Sequence, residues 1–385
     1  MDNSRNTADH PLFADAESGV SSRKRVLREF RPVLALATSE AGARLASFVF
    51  YLIAARELAP DGFGVVRYTI TLSFLAFAGL QVLAMSMNRE LGAARHNRER
   101  TRAILGTGLV SAAALLVVSA ALCIAAAAAG LTAGANTLGL VAVLAGTALF
   151  QIYYEIGRGM GQVKRMTITY LGASLSQLLI FVGIVAATRP SPLVALLVFG
   201  GSGVIPVAIS ELAYPVVRGQ HVLVEGRTLR RLALVSAPLF VAHLAYVGWT
   251  SADQIWVANV LGTYQIGIYG AARNLSQIFV VVPAAAYGVI MPRIAELRET
   301  SQDRHARRLV YAATLTAAGT TSILALFVIF LRVPLLRMLY GSSYTGAATS
   351  LAFLSIAAVF YAAFVMLTTS SVGWGRPGVY TSGMV

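Results

Sequence analysis

ILGTGLVSAAALLVVSAALCIAAAA, residues 104–128, carries no charged side chain. As a helix rising ~1.5 Å per residue it is ~37 Å long, enough to cross the ~30 Å hydrocarbon core of a bilayer. Its Ala, Leu, Val and Gly content suits close helix packing in lipid rather than a strand. Cys123, the sole cysteine of the chain, lies inside this stretch and reads as a small buried residue; no intramolecular disulfide or thiolate metal cluster is open to it.

Stretches of this kind recur along all 385 residues, separated by short charged segments. The chain is 57% hydrophobic and only 12% charged, against about 25% charged in a soluble domain. A soluble fold of this composition would have no polar surface to present. The pattern predicts an all-α integral membrane protein, a polytopic bundle. About ten complete spans are read, at 33–55, 65–87, 104–128, 135–156, 167–187, 193–217, 232–257, 267–291, 309–331 and 347–371, with 378–385 as the first turns of an eleventh.

Lys and Arg set the orientation. With the N-terminus inside, the segments 1–32, 88–103, 157–166, 218–231, 292–308 and 372–377 hold 24 of the 31 basic residues. The segments 56–67, 129–134, 188–192, 258–266 and 332–346 hold 5. This is the positive-inside asymmetry of a cytoplasmic (inner) membrane protein with its N-terminus in the cytoplasm. The net charge of +14 therefore belongs to loops, not to one patch or helix, and nucleic acid is excluded as a partner. Residues 1–31 read as a disordered basic cytoplasmic tail, without the apolar core of a cleavable signal peptide. The short outside loops leave no room for an extracellular domain, and no motif of a hydrolase, a zinc enzyme or a P-loop is present. No cofactor or metal is expected.

A weak internal repeat relates two turns: ARELAPDGFGVVRY (55–68) and ANVLGTYQIGIYGA (258–271). Leu58 with Leu261, Gly64 with Gly267 and Val65 with Ile268 align at one offset. Both turns leave an odd-numbered span on the outside. They imply two parallel six-span lobes: an N-terminal lobe at 32–217, a cytoplasmic linker at 218–231 and a C-terminal lobe from 232 to 385, the last incomplete.

Charges within spans need a partner or a wet cavity, since each costs at least ~2.5–3.5 kcal/mol at the helix centre. Glu40 and Arg44 lie at i,i+4 on span one, either as an ion pair or lining a cavity. Asp253, flanked by Trp249 and Trp256, lies in span seven. Arg273 lies in span eight with no carboxylate at helical spacing, open either to an anion or to a pair with Asp253. His243 reads as hydrogen-bonded to a neighbouring helix. Glu155 and Glu211 lie near the cytoplasmic span ends, where both can snorkel to the headgroups. Arg56 and Arg67 flank the first outside turn, where phospholipid phosphate is the expected partner. Pro206, Pro238 and Pro283 are expected to interrupt spans six, seven and eight.

The segment Arg56-Glu57-Leu58-Ala59-Pro60-Asp61-Gly62-Phe63-Gly64, opening onto Tyr68, resembles the hairpin after the first span of the bacterial polysaccharide-biosynthesis flippases (Wzx-like) of the MOP superfamily, which also holds the lipid II flippases and the MATE exporters. Asp253, Val260-Leu261-Gly262 and Gly267-Ile268-Tyr269-Gly270-Ala271-Ala272 resemble its seventh-to-eighth junction. Met291-Pro292-Arg293-Ile294-Ala295 and Leu339-Tyr340-Gly341-Ser342-Ser343-Tyr344 resemble its eighth-span exit and its turn before span ten. The resemblance runs over about residues 25–385, with Ala59 standing where the family has glycine.

That resemblance implies two helical lobes around a cationic cavity and translocation of an undecaprenyl-diphosphate-linked oligosaccharide by alternating access. It makes Arg44 and Arg273 the diphosphate contacts, Glu40 and Asp253 ion-coupling or charge-partner residues, and the bilayer, a polysaccharide polymerase and glycosyltransferases the partners. A MATE-type ion-coupled exporter of organic cations is the alternative, and a membrane glycosyltransferase or ligase of the same pathway a second one.

Overall fold

A computed structural model describes residues 19–95, 97–132, 134–215, 223–279 and 302–373, with residues 290, 294 and 297. Among these, every regular element is helical: α1 Gly19–Ala93, α2 Arg98–Ala128, α3 Thr137–Gly159, α4 Val163–Ala187, α5 Pro192–Gly201, α6 Val204–Ala213, α7 Gly226–Ser276, α8 Asp303–Tyr340, a 3₁₀ turn Ser342–Ala347 and α9 Ala348–Gly373. Eight stretches of the described residues are long and apolar enough to cross a membrane, α5 and α6 together forming one of them. Their outward faces are apolar: Phe330 is 80 % and Leu122 65 % exposed. Side chains of this kind suit contact with hydrocarbon, not water.

Polar side chains set where several helices start. Asn97, Asn136 and Ser191 accept from the backbone N–H groups of Arg100, Gly139 and Val194 at the starts of α2, α3 and α5. Pro192 opens α5, where a missing N–H costs nothing.

Two of the crossing stretches, α1 and α7, are long enough for two crossings, and each is broken at a single residue. In α1 the break is Ala59, with φ 54 and ψ 173. In α7 it is Gly262, with φ 85 and ψ 178. The segments 56–67 and 258–266, expected as loops, are thus helical on both sides of one reversing residue. Gly341, between α8 and the 3₁₀ turn, has nearly the same backbone, φ 99 and ψ 171.

Of the prolines expected to interrupt spans, Pro206 sits in the first turn of α6, just past the break between α5 and α6. Pro238 lies inside α7, whose non-helical residue is Gly262 instead. Residues 19–31, read from sequence as part of the tail, are helical here as the start of α1. Pro283, the 291–293 and 295 positions of the eighth-span exit, residues 1–18 of the tail and the start of an eleventh span at 378–385 lie outside the described residues.

The segments read as outside turns gather at one end of the bundle, called here the break end. Arg56 donates through Nε to the Leu339 carbonyl at 2.5 Å, and Tyr344 to the Ala55 carbonyl at 2.6 Å. Gly62 lies against Pro192, and Gly134 against Thr263. A buried cluster sits just below, with Phe50, Phe63, Phe181, Leu196, Leu275 and Tyr344 at its centre. A second cluster towards the other end joins Leu80, Leu83, Met87, Leu91, Ile104 and Leu232 from α1, α2 and α7.

Candidate functional site

Among the described residues the most extensive helix contact is that between α1 and α7, and Arg67 and the Asp253–Arg273 pair lie along or beside it. At the break end the two helices touch backbone to backbone. A Cβ on Gly64 would fall 1.8 Å from the Thr263 carbonyl oxygen, and one on Gly267 1.9 Å from the Pro60 carbonyl oxygen. Each glycine is thus required by the other's neighbours, in a reciprocal contact. The pair is the one that the sequence repeat aligned.

Below this contact lies a polar network. Arg67 donates through Nη2 to Gln254 Oε1 at 2.7 Å, and its guanidinium lies 5.0 Å from the centre of the Tyr51 ring. Thr71 donates to the same Gln254 oxygen at 3.3 Å, and Tyr68 to Asn259 Oδ1 at 3.2 Å. Gly270 makes room for the arginine, since a Cβ there would lie 2.9 Å from Arg67 Cγ. At the repeat offset that matches Gly64 to Gly267, Arg67 falls opposite Gly270.

Asp253 and Arg273 come together on the two arms of α7. Arg273 Nη1 is 3.8 Å from Asp253 Oδ2, and Arg273 Nη2 donates to the Thr250 carbonyl at 3.2 Å. Tyr269 donates to the same carboxylate oxygen. Of the two readings of Arg273, the structure forms the pair with Asp253, with the arginine side chain 24 % exposed. Asn274, next in the chain, donates to the Tyr340 hydroxyl at 2.8 Å and to the Phe48 carbonyl at 3.5 Å, one turn along α1 from Arg44.

Glu40 and Arg44 do not pair with each other: no ion pair among the described residues joins them. Arg44 is exposed. Tyr154 of α3 donates to Glu40 Oε1 at 3.4 Å, and its ring lies 5.4 Å from that of Tyr170 in α4 and 6.0 Å from Phe150. Glu40 and Arg44 thus sit beside an aromatic cluster shared by α1, α3 and α4. The two halves of the expected site, Glu40 with Arg44 and Asp253 with Arg273, remain separate clusters.

Several expectations are corrected. Arg56 and Arg67, expected at headgroup phosphate, each have protein partners in the fold. Arg56 binds the last carbonyls of α8, Leu339 and Met338, where a cation suits the negative end of a helix. Arg67 points into the α1–α7 seam. Glu155 does not snorkel: it is 3 % exposed, accepts from Asn88 at 2.5 Å and from Gln151 at 3.2 Å, and lies 3.7 Å from Arg158. Glu211 pairs at 3.1 Å with Arg165, which is fully buried and also donates to the Tyr214 carbonyl at 2.8 Å. Glu90, buried at the end of α1, takes Arg100 at 3.0 Å and Arg231 at 2.8 Å, and lines a cavity of about 460 Å³ there. Among the described residues, no three His, Cys, Asp or Glu side chains gather to hold a metal.

Residues 30–298 match the family described as Polysaccharide biosynthesis protein. No curated protein matches the chain. Among solved structures, an inward-facing multidrug resistance MATE family transporter of the MOP superfamily is similar over 90 % of this chain and 83 % of that one, with a TM-score of 0.69 at 13 % identity. An outward-facing structure of such a transporter gives 0.61 at 12 % identity over 91 % and 83 %. A mutant of the Vibrio cholerae MATE transporter VcmN gives 0.61 at 15 % identity over 91 % and 85 %. At these identities the likeness is one of fold.

Proposed function

The chain belongs to the polysaccharide biosynthesis protein family, and from that premise we propose that it is a flippase for undecaprenyl-diphosphate-linked oligosaccharide. Its place would be the cytoplasmic membrane, with the N-terminus inside and the break end outside. The observation that carries this reading is the family match on a helical membrane chain whose central seam holds arginines. Counting each of α1 and α7 as two crossings gives about ten spans. The reciprocal contact of Gly64 with Gly267 supports two lobes related by an axis along the membrane normal.

In this reading Arg44 and Arg273 contact the diphosphate, because a planar guanidinium can hold two phosphate oxygens at once. Arg273 would exchange its pairing with Asp253 for the substrate, and a pair at 3.8 Å between partly exposed groups is a weak one to break. Glu40 and Asp253 then carry the balancing charge or a coupling ion. The break end is shut in this structure, so substrate would load from the opposite end. A substrate of about two negative charges moving outward gains up to ~4–5 kcal/mol at ~100 mV, inside negative, without a coupling ion.

A MATE-type exporter of organic cations is the second reading, favoured by the fold likeness and by the Asp253 carboxylate. The two readings separate in proteoliposomes. Wild type is expected to flip a fluorescent undecaprenyl-diphosphate oligosaccharide, and Arg44→Ala and Arg273→Ala to lose about tenfold or more of that rate at unchanged thermal unfolding. A folded wild type that flips nothing but exports organic cations on an ion gradient would sink the flippase.

A further inference from the structure

Arginines within or at the ends of crossing stretches are each settled differently here. Arg165 has Glu211, Arg273 has Asp253, and Arg56 has the carbonyl end of α8. Arg44 is exposed, and Arg67 is half-buried in the α1–α7 seam. Among the described residues no carboxylate lies within ion-pair distance of Arg67. Its partners are all neutral: the Gln254 amide oxygen and the face of Tyr51. Its Nε is shut off from solvent and has no acceptor.

Such an arrangement is costly in a low-dielectric setting. A buried charge is ordinarily paired, and a buried donor without an acceptor forfeits its hydration. Accident does not account for it, because space for the side chain has been cleared. Gly270 lies where any side chain would strike the arginine stem. A guanidinium held in place by neutral groups has no carboxylate to give up and can exchange a neutral partner for an anion.

We propose that Arg67 binds the diphosphate of the isoprenoid-linked substrate on the outer half of its path, and that Gln254 is the neutral partner released when the anion arrives. The proposal rests on the flippase reading and adds a site to it. As the Gly64–Gly267 contact opens, α1 carries Arg67 away from α7, and with it from Gln254. The amide bond is lost in that movement and the phosphate oxygens replace it. A neutral partner suits this exchange better than a carboxylate would, since it holds the arginine in place without competing strongly for it.

The ligand chemistry is a lipid-borne phosphate, which bulk phospholipid also carries, so both are titrated. The full chain in phosphatidylcholine nanodiscs receives undecaprenyl diphosphate or, separately, phosphatidylglycerol. Wild type should prefer undecaprenyl diphosphate. Arg67→Gln should bind it about tenfold or more weakly, with Arg67→Lys recovering part of the loss. Gln254→Leu, which removes the competitor and keeps the charge, should bind it several-fold more tightly, a gain that a merely structural arginine would not give. Undiminished affinity in Arg67→Gln, no gain in Gln254→Leu, or equal affinity for phosphatidylglycerol overturns the proposal while the flippase reading stands. Where Arg67→Gln does not fold, Gln254→Leu decides. Wild type that fails to bind undecaprenyl diphosphate overturns both.

Discussion

The helices α1 and α7 reverse direction with the same backbone but different residues. Ala59 and Gly262 have φ of 54 and 85 with ψ of 173 and 178. Glycine occupies that region freely, whereas an L-residue there meets its own carbonyl at a cost of roughly 1–3 kcal/mol. The alanine persists because its turn is held from several sides. Arg56 grips the end of α8, Tyr344 donates to the Ala55 carbonyl, and Gly64 abuts Thr263. The difference teaches that the chain path, rather than residue type, is the quantity repeated between the two turns. A residue that fits poorly survives where neighbours fix that path.

The comparison breaks most violently at the glycines flanking the turns. Gly64→Leu and Gly267→Leu each push a side chain into a carbonyl oxygen of the other helix, and no rotamer change relieves a clash with backbone. Each is expected to lower stability by about 3 kcal/mol and to abolish transport, read by thermal unfolding and by the flipping assay. The reciprocity of the contact demands that the two behave alike. One tolerated and one lethal would show that the two turns are not mates.

How much of this was legible follows from the range of each interaction. Crossing helices are written in uninterrupted apolar length, as in 104–128, and the Gly64–Gly267 match survived in sequence because that contact admits no side chain. The single-residue breaks were less legible, since helix propensity on either side of Ala59 says nothing of one reversed φ. Arg273 and Asp253 meet across the Gly262 break, so helical spacing could not pair them. Arg67 looked like a headgroup arginine from its distance to the turn. Its signal was nevertheless present, because the repeat offset sets a large residue, Arg67, against a glycine, Gly270. Glu155 follows the same rule: nearness to a span end says nothing about the Asn88 and Gln151 side chains beside it.

An effect of middle size is expected from giving the second turn the residue of the first. Gly262→Ala meets nothing within 4 Å, so its cost is purely conformational. It should destabilise by about 1–2 kcal/mol, seen as a lower unfolding midpoint in detergent with transport largely kept. A loss as large as that of Gly64→Leu would mean that the space around Gly262 fills during the transport cycle.

The smallest effect, and the most informative about the comparison, belongs to Ala59→Gly. Relief of the strained φ favours the variant, while the greater freedom of glycine in the unfolded chain opposes it by roughly 0.5–1 kcal/mol. The difference should leave a gain of about 1 kcal/mol or less, measured as a raised denaturant midpoint at unchanged slope. A loss would mean that the exposed Ala59 methyl contributes more than its backbone costs, and that the two turns differ by design of their surroundings. A gain accompanied by slower flipping would be more telling still. It would place the stored strain of the first turn in the opening of the break end, with the alanine easing a separation that a relaxed glycine turn resists.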